Sequence, residues 1–186
     1  MRRWTRLSRE TLFTTPWCRF EHDRFRLPDG AEGDYYYVNS PGAVMVVALD
    51  DRDQAVLVRQ YRYLLDRDSV EFPAGGLREG VEPLEQARRE LEEEAGYRAG
   101  RWEELGSFAS WNGVTNEVCR VFLARDLSPS EGTPDPTEEF EVFHLAWREV
   151  LARAARGEID DGMTLASIAL ARDRIEGAGG ARKAEE

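Results

Sequence analysis

Residues 75–97 read GGLREGVEPLEQARRELEEEAGY, and the fold turns on how they are read. Pro83 can open a helix at a first-turn position, where its missing N–H does no harm. Gly96 can close that helix in the left-handed conformation. Between them, at about 100° per residue, Leu84, Ala87, Leu91 and Ala95 fall on one apolar stripe. Glu90, Glu93 and Glu94 gather on a neighbouring face at i, i+3, i+4, while Glu92 points elsewhere. This placement runs against helix stability. The acids occupy the last turns, where the macrodipole is already negative, and each like-charge i,i+4 pair costs a further ~0.2–0.5 kcal/mol. A bound divalent cation reverses both penalties. The competing reading is a solvated acidic face, supported by the i,i+4 pairs Glu85–Arg89, Arg88–Glu92 and Arg89–Glu93.

The rest of the chain sets limits on that choice. A length of 186 residues suits one domain with a sizeable core, and 41% hydrophobic with 33% charged residues describes an ordinary globule. With 25 basic and 36 acidic side chains the net charge is −11, which argues against a general nucleic-acid or anionic-membrane surface. Cys18 and Cys119 are too few for a disulfide framework and match no zinc spacing, and only His22 and His144 could join them. Both cysteines are expected to fill core space. The start, MRRWTRLSRE, is basic but lacks an apolar signal segment, and no apolar run approaches membrane-spanning length. The expected address is the cytoplasm.

Elements can be placed along the chain. The aromatics Trp4, Phe13, Trp17, Phe20 and Phe25, the turn Leu27-Pro28-Asp29-Gly30 and the run from Tyr35 to Val38 predict short antiparallel strands before residue 42. The unbroken apolar run from Ala43 to Leu49 predicts a strand covered on both faces. Strands follow from Ala55 to Tyr61 and from Val70 to Phe72, then the helix of residues 83–95. Beyond it, Trp102 to Phe108, Val118 to Leu123 and Phe140 to Trp147 have strand character. Helices are expected at about 148–156 and 163–174, and the Gly- and charge-rich tail from 176 to 186 reads as disordered. No internal repeat is present. Helices are thus available for both faces of a sheet, which fits an α/β sandwich.

Residues 75–97 also resemble the Nudix box, written G-x5-E-x7-R-E-U-x-E-E-x-G-U with U aliphatic or aromatic. Counting from Gly75, the residues Arg89, Glu90, Leu91, Glu93, Glu94, Gly96 and Tyr97 stand in register. Val81 replaces the first glutamate, and Glu82 comes one residue late. The resemblance implies a Nudix-type α/β/α sandwich with a mixed sheet over residues 43–175, preceded by antiparallel strands in a dimerisation arm over residues 1–42. It implies Mg²⁺ or Mn²⁺ as cofactor, Glu90 and Glu94 as principal ligands, Glu93 as a further ligand or water-activating group, and the carbonyl of Ala74 as another ligand. Arg89 would orient a box carboxylate.

Outside the box, Arg59-Gln60-Tyr61-Arg62, Glu71-Phe72-Pro73-Ala74-Gly75 and Ser110-Trp111-Asn112-Gly113-Val114-Thr115-Asn116-Glu117 resemble the ADP-ribose pyrophosphatase branch. That likeness implies a nucleoside diphosphate substrate, with Arg62 and its neighbour Arg59 binding it. Trp111-Asn112-Gly113 stands where the branch has Ser-Pro-Gly, so Asn112 and Gly113 would border a reshaped sugar pocket. A loop acid, Glu138 or Glu139 with Glu141 behind them, would serve as catalytic base. Members are homodimers in which an N-terminal aromatic stacks on the base; Trp17 is the candidate, against the alternative of a core tryptophan. The implied reaction converts ADP-ribose to AMP and ribose 5-phosphate. A GDP-mannose-type substrate and, because of Val81, a weakly catalytic nucleotide sensor are the alternatives.

Overall fold

The computed structural model describes residues 1–130 and 139–182, residues 178–182 by backbone alone. Three strands come first, β1 (Thr5–Thr14), β2 (Arg19–Arg26) and β3 (Glu32–Asn39), forming an antiparallel sheet in that order. There follow β4 (Ala43–Leu49), β5 (Gln54–Arg62), β6 (Arg67–Glu71), β7 (Ala74–Gly76), α1 (Pro83–Ala95), β8 (Tyr97–Ala109), β9 (Val118–Pro129), β10 (Glu141–Ala146), α2 (Trp147–Ala155) and α3 (Gly162–Arg182). These strands make a second sheet ordered β10-β5-β4-β9-β8, with β6 on β5 and β7 on β4. The β4–β9 pair is parallel and its neighbours are antiparallel, so the sheet is mixed as expected.

Central β4 explains the layering. All seven of its residues are buried, because alternate side chains face different layers. Val44, Val46 and Ala48 meet Ala87, Leu91 and Ala95 of α1 on one side. Met45, Val47 and Leu49 meet Val150 of α2 and Ile168, Ala171 and Ile175 of α3 on the other. This is the α/β/α sandwich that the pattern predicts. Helix α1 spans the expected residues, and Gly96 closes it at φ 70° with its N–H on the carbonyls of Glu92 and Leu91.

Two expectations need correction. Helix α3 does not end at 174; it continues to Arg182. Ile168, Ala171 and Ile175 are buried in the core, which carries the helix past the stretch read as its end, and residues 183–186 lie outside those described. Nor is Trp17 a core tryptophan. It sits in the β1–β2 turn with 79% of its surface exposed, although Trp4 does stack on Phe25 with ring centres 4.4 Å apart. Cys119 is buried and Cys18 half-buried, and neither forms a disulfide. Among the described residues no helix is long and apolar enough to cross a membrane.

Phe72, fully buried, donates its backbone N–H to Thr164 Oγ1 at 3.3 Å and so joins the sheet to the start of α3. Phe72→Ala is expected to lower the unfolding free energy by about 3–5 kcal/mol, measured by urea denaturation; a loss below 1 kcal/mol would show that the core collapses around the gap. In the N-terminal sheet Asp23 accepts hydrogen bonds from Arg9 Nε at 2.8 Å and Nη2 at 3.1 Å. The guanidinium bond holds the Asp23 carboxyl below the usual carboxylate range. A depressed folded-state pKa adds stability that is complete above the unfolded value of about 4 and vanishes as pH falls through the folded one. Asp23→Asn should therefore flatten the acid limb of stability against pH, and an unaltered slope in urea midpoints between about pH 5 and 2 would count against this account.

Candidate active site

The site is made where α1 lies under β7. Strand β7 is fixed by antiparallel pairing to β4, with Gly75 opposite Val44 and Ala74 opposite Met45. Leu91 and Ala87 bury the apolar stripe of α1 beneath the same strands, which turns the neighbouring acidic face toward β7. Glu94 is 7% exposed, and its Oε2 accepts the Ala74 N–H at 2.9 Å. Glu90 lies against Gly75 so closely that a Cβ on that residue would stand 2.1 Å from Glu90 Oε1. Gly75 thus leaves the space that the carboxylate fills. One turn earlier, buried Gln86 donates from Nε2 to Glu90 Oε1 at 2.5 Å, while Gln86 Oε1 is buried without a hydrogen-bond partner among the described residues.

The expected acidic trio is therefore a pair on β7 with Glu93 half-buried beside it; among the described residues no three His, Cys, Asp or Glu side chains stand together as a cation cage. Ala74, whose carbonyl is the expected further ligand, donates its N–H to Glu94. The i,i+4 pairs of the solvated-face reading do not form among the described residues. Glu92 is held instead by Arg98, at 2.7 and 3.0 Å, and by Ser130 Oγ at 3.2 Å. The chain doubles back at Gly96, bringing Arg98 of β8 beside the last helical turn, and the Arg98 bond keeps the Glu92 carboxyl below its ordinary range. Arg89 is half-buried and makes no ion pair among the described residues.

Val81 follows Gly80, whose φ is 80°, and donates its N–H to the Arg78 carbonyl at 3.1 Å. Glu82 precedes the first helical residue without a side-chain cap, and its charge acts on Arg120.

Arg62, at the end of β5, donates Nε to Glu71 Oε1 at 2.8 Å and pairs through Nη2 with Glu71 Oε2. Glu71 is 2% exposed. That bond, with the charges of Asp161 and Glu94 behind it, raises the pKa of the Arg62 guanidinium. Asp161 also caps α3 by accepting the Thr164 N–H at 2.7 Å. Sequence reading missed Glu71, Gln86 and Asp161. Glu71 belongs to the quoted Glu-Phe-Pro-Ala-Gly run, but its role needs the β5–β6 register, which sets Glu71 opposite Val58 and within reach of Arg62.

Arg59 and Glu141, both expected at the site, face each other across β5 and β10 and form an ion pair at 2.7 Å; Arg59 also covers the Phe143 ring at 5.7 Å. Glu139 is exposed beside the start of β10, and Glu138 lies outside the described residues. Asn112 and Gly113 belong to a turn fastened to β3, where Tyr35 OH donates to the Gly113 carbonyl at 2.9 Å.

Comparison with known proteins bears on the family and the fold. Residues 39–165 match the NUDIX domain model, and residues 4–38 match that of the nucleoside diphosphate sugar hydrolase N-terminal domain. The chain is 34% identical over 164 residues to the ADP-ribose pyrophosphatase of Bacillus subtilis, covering 87% of this chain and 89% of that one. It is equally similar, over the same shares, to the methanol dehydrogenase activator of Bacillus methanolicus. The GDP-mannose pyrophosphatase of Salmonella arizonae is 31% identical over 138 residues, 69% of this chain and 72% of that one. A crystal structure of an ADP compounds hydrolase has the same fold, with a TM-score of 0.85 over 96% of this chain and 97% of that chain at 22% identity. A NUDIX match over more than half the chain, laid on a helix whose Glu90 and Glu94 converge on the Ala74–Gly75 turn, makes this protein a member of the Nudix hydrolase family.

Proposed function

We propose that this hydrolase cuts the diphosphate bridge of a nucleoside diphosphate joined to a second moiety, with ADP-ribose the leading substrate and AMP and ribose 5-phosphate the products. The observation that carries the proposal is the convergence of Glu90 and Glu94 on consecutive residues of β7. The similarity to ADP-ribose pyrophosphatases supports the substrate, and that to GDP-mannose pyrophosphatase supports a nucleotide sugar as the second reading. Val81 favours a weakly catalytic nucleotide sensor as a third.

The donor set suits Mg²⁺, or Mn²⁺ in its place: carboxylates, one of them seated in the space that Gly75 leaves, and a backbone carbonyl at Ala74. The buried, unpartnered Gln86 Oε1 next to Glu90 also fits a hydrated cation, whose water could donate to it. Glu90 and Glu94 would hold the ion, with Glu93 a further ligand. When bound, the cation offsets charge on the phosphoryl oxygens and eases proton loss from water.

The chain's own groups do the rest. Arg62 can offer guanidinium N–H groups to the diphosphate while Glu71 fixes its plane; Arg59, Asn112, Gly113 and Trp17 are the remaining candidates for holding substrate. Water attacks one phosphorus and the bond to the bridging oxygen breaks. The water's proton passes to a carboxylate, for which Glu93, Glu138 and Glu139 are the candidates, and the bridging oxygen departs with the second phosphate. Arg89 keeps the role of steadying a box carboxylate. The exposed aromatics of the N-terminal sheet support a homodimer, and the two unpaired thiols fit a cytoplasmic setting.

The test is a panel of ADP-ribose, GDP-mannose, dinucleotides and NADH incubated with and without Mg²⁺, with products separated by chromatography. ADP-ribose should be cut fastest and only with the cation; preference for GDP-mannose would establish the second reading, and binding of ligand without cleavage of any would establish the sensor. Gly75→Ala probes the site itself. The new Cβ displaces only the far end of the Glu90 side chain, so melting should stay within a few degrees of the parent while the Mg²⁺ concentration for half-maximal rate rises ~10-fold or more. An unshifted metal titration would take Glu90 out of the ligand set.

A further inference from the structure

Trp111 is 66% exposed, yet the turn that bears it is fixed. Its carbonyl accepts the N–H groups of Val114 at 2.9 Å and Thr115 at 3.0 Å, and the Ser110 N–H reaches the Glu117 carbonyl at 3.3 Å. Strand β3 holds the turn from outside. The Val38 N–H donates to the Val114 carbonyl at 2.9 Å and the Asn116 N–H to the Val38 carbonyl at 3.3 Å, while Asn116 Oδ1 accepts the Ser40 N–H at 2.9 Å. Asn116 Nδ2 bonds Asn39 Oδ1 at 2.8 Å, and Asn39 Nδ2 reaches the buried Glu21 carboxylate at 3.3 Å. A large apolar side chain kept in water on an immobilised backbone forgoes burial without gaining flexibility, which suits a surface that waits for a ligand.

The turn also borders the carboxylate pair. It leads into β9, where the Val118 carbonyl would stand 2.9 Å from a Cβ on Gly42. The Gly42 carbonyl accepts the N–H of Leu77, two residues past Gly75, at 2.9 Å. The charges agree: Glu117 and Asp161 both act on the Cys119 thiol, and Asp161 and Glu94 both act on Arg62. The Trp111 turn, Arg62 and the pair on β7 therefore stand at one end of the sheet.

We propose that Trp111 is the ring platform of this site: its indole face packs against one of the two uncharged rings that flank the diphosphate, nucleobase or sugar, and so sets substrate preference without touching the bond that breaks. Indole suits either ring, stacking on the π-face of a base or on the C–H face of a sugar. The proposal rests on the reading of the substrate as a nucleoside diphosphate linked to a second moiety.

The experiment compares the parent with Trp111→Ala and Trp111→Phe by calorimetric titration of ADP-ribose with Ca²⁺ in place of Mg²⁺, and by steady-state kinetics with Mg²⁺. Trp111→Ala should weaken binding and raise KM ~10-fold, with kcat within about twofold, and Trp111→Phe should recover most of the loss. Separate titrations of AMP and ribose 5-phosphate identify the ring, since only the product carrying it should bind Trp111→Ala more weakly. Parent-like affinity in Trp111→Ala overturns the proposal. So does dissociation of that variant on size-exclusion chromatography, which would make the indole an interface residue. A parent that binds ADP-ribose but leaves it intact with Mg²⁺ would defeat the hydrolase reading while the titrations still decide the role of Trp111; a parent that binds none of these ligands would defeat both.

Discussion

The close approach of α1 to β7 governs everything else in the site. A carboxylate cannot lie beside a backbone strand unless the strand lacks a side chain there and the helix is held firmly enough to resist repulsion between its own acids. Gly75 meets the first condition. The second is met by burial of Ala87 and Leu91 beneath Val44, Val46, Val56 and Val58, each large aliphatic side chain contributing roughly 1.5–3 kcal/mol. That is several times the ~0.2–0.5 kcal/mol of an unfavourable i,i+4 pair. The apolar stripe thus fixes where the helix sits, and the acidic face accepts the consequences.

Around that contact the molecule repeatedly links distant segments through buried or half-buried polar groups. Glu71 fixes Arg62, Asp161 caps α3 while its charge reaches the same arginine, and Asn116 joins the turn after β8 to the N-terminal sheet. Buried polar groups of this kind cost stability unless fully partnered. Here they order surfaces that a hydrophobic core alone would leave free to slide.

Much of this was legible in the residues. The run Ala43–Leu49 has no polar member, so a central strand covered on both sides was the natural reading, and Pro83 and Gly96 bracket α1 to the residue. That Glu90 and Glu94 share one face of α1 follows from helical spacing alone, and both lie against β7. What stayed hidden depends on tertiary register. The Arg59–Glu141 pair requires β10 to add beside β5, and Glu71 finds Arg62 only once β6 folds back. The i,i+4 pairs misled because Arg98, beyond the helix, competes better for Glu92. The extent of α3 was missed because Gly-rich composition suggested a stop, whereas buried Ile175 carries the helix onward.

The parallel pairing of β4 with β9 carries a consequence for how the chain is made. Val44 lies opposite Arg120, so the uncharged heptapeptide of β4 leaves the ribosome many residues before its neighbour exists. Such segments, apolar, rich in β-branched residues and free of proline, are prone to self-association while exposed. Its early hairpin partners β5 and β7 come sooner and can cover one edge in the interval. The other edge must wait, which makes newly synthesised chain, rather than the finished enzyme, the species most exposed to misassembly and most dependent on chaperone protection.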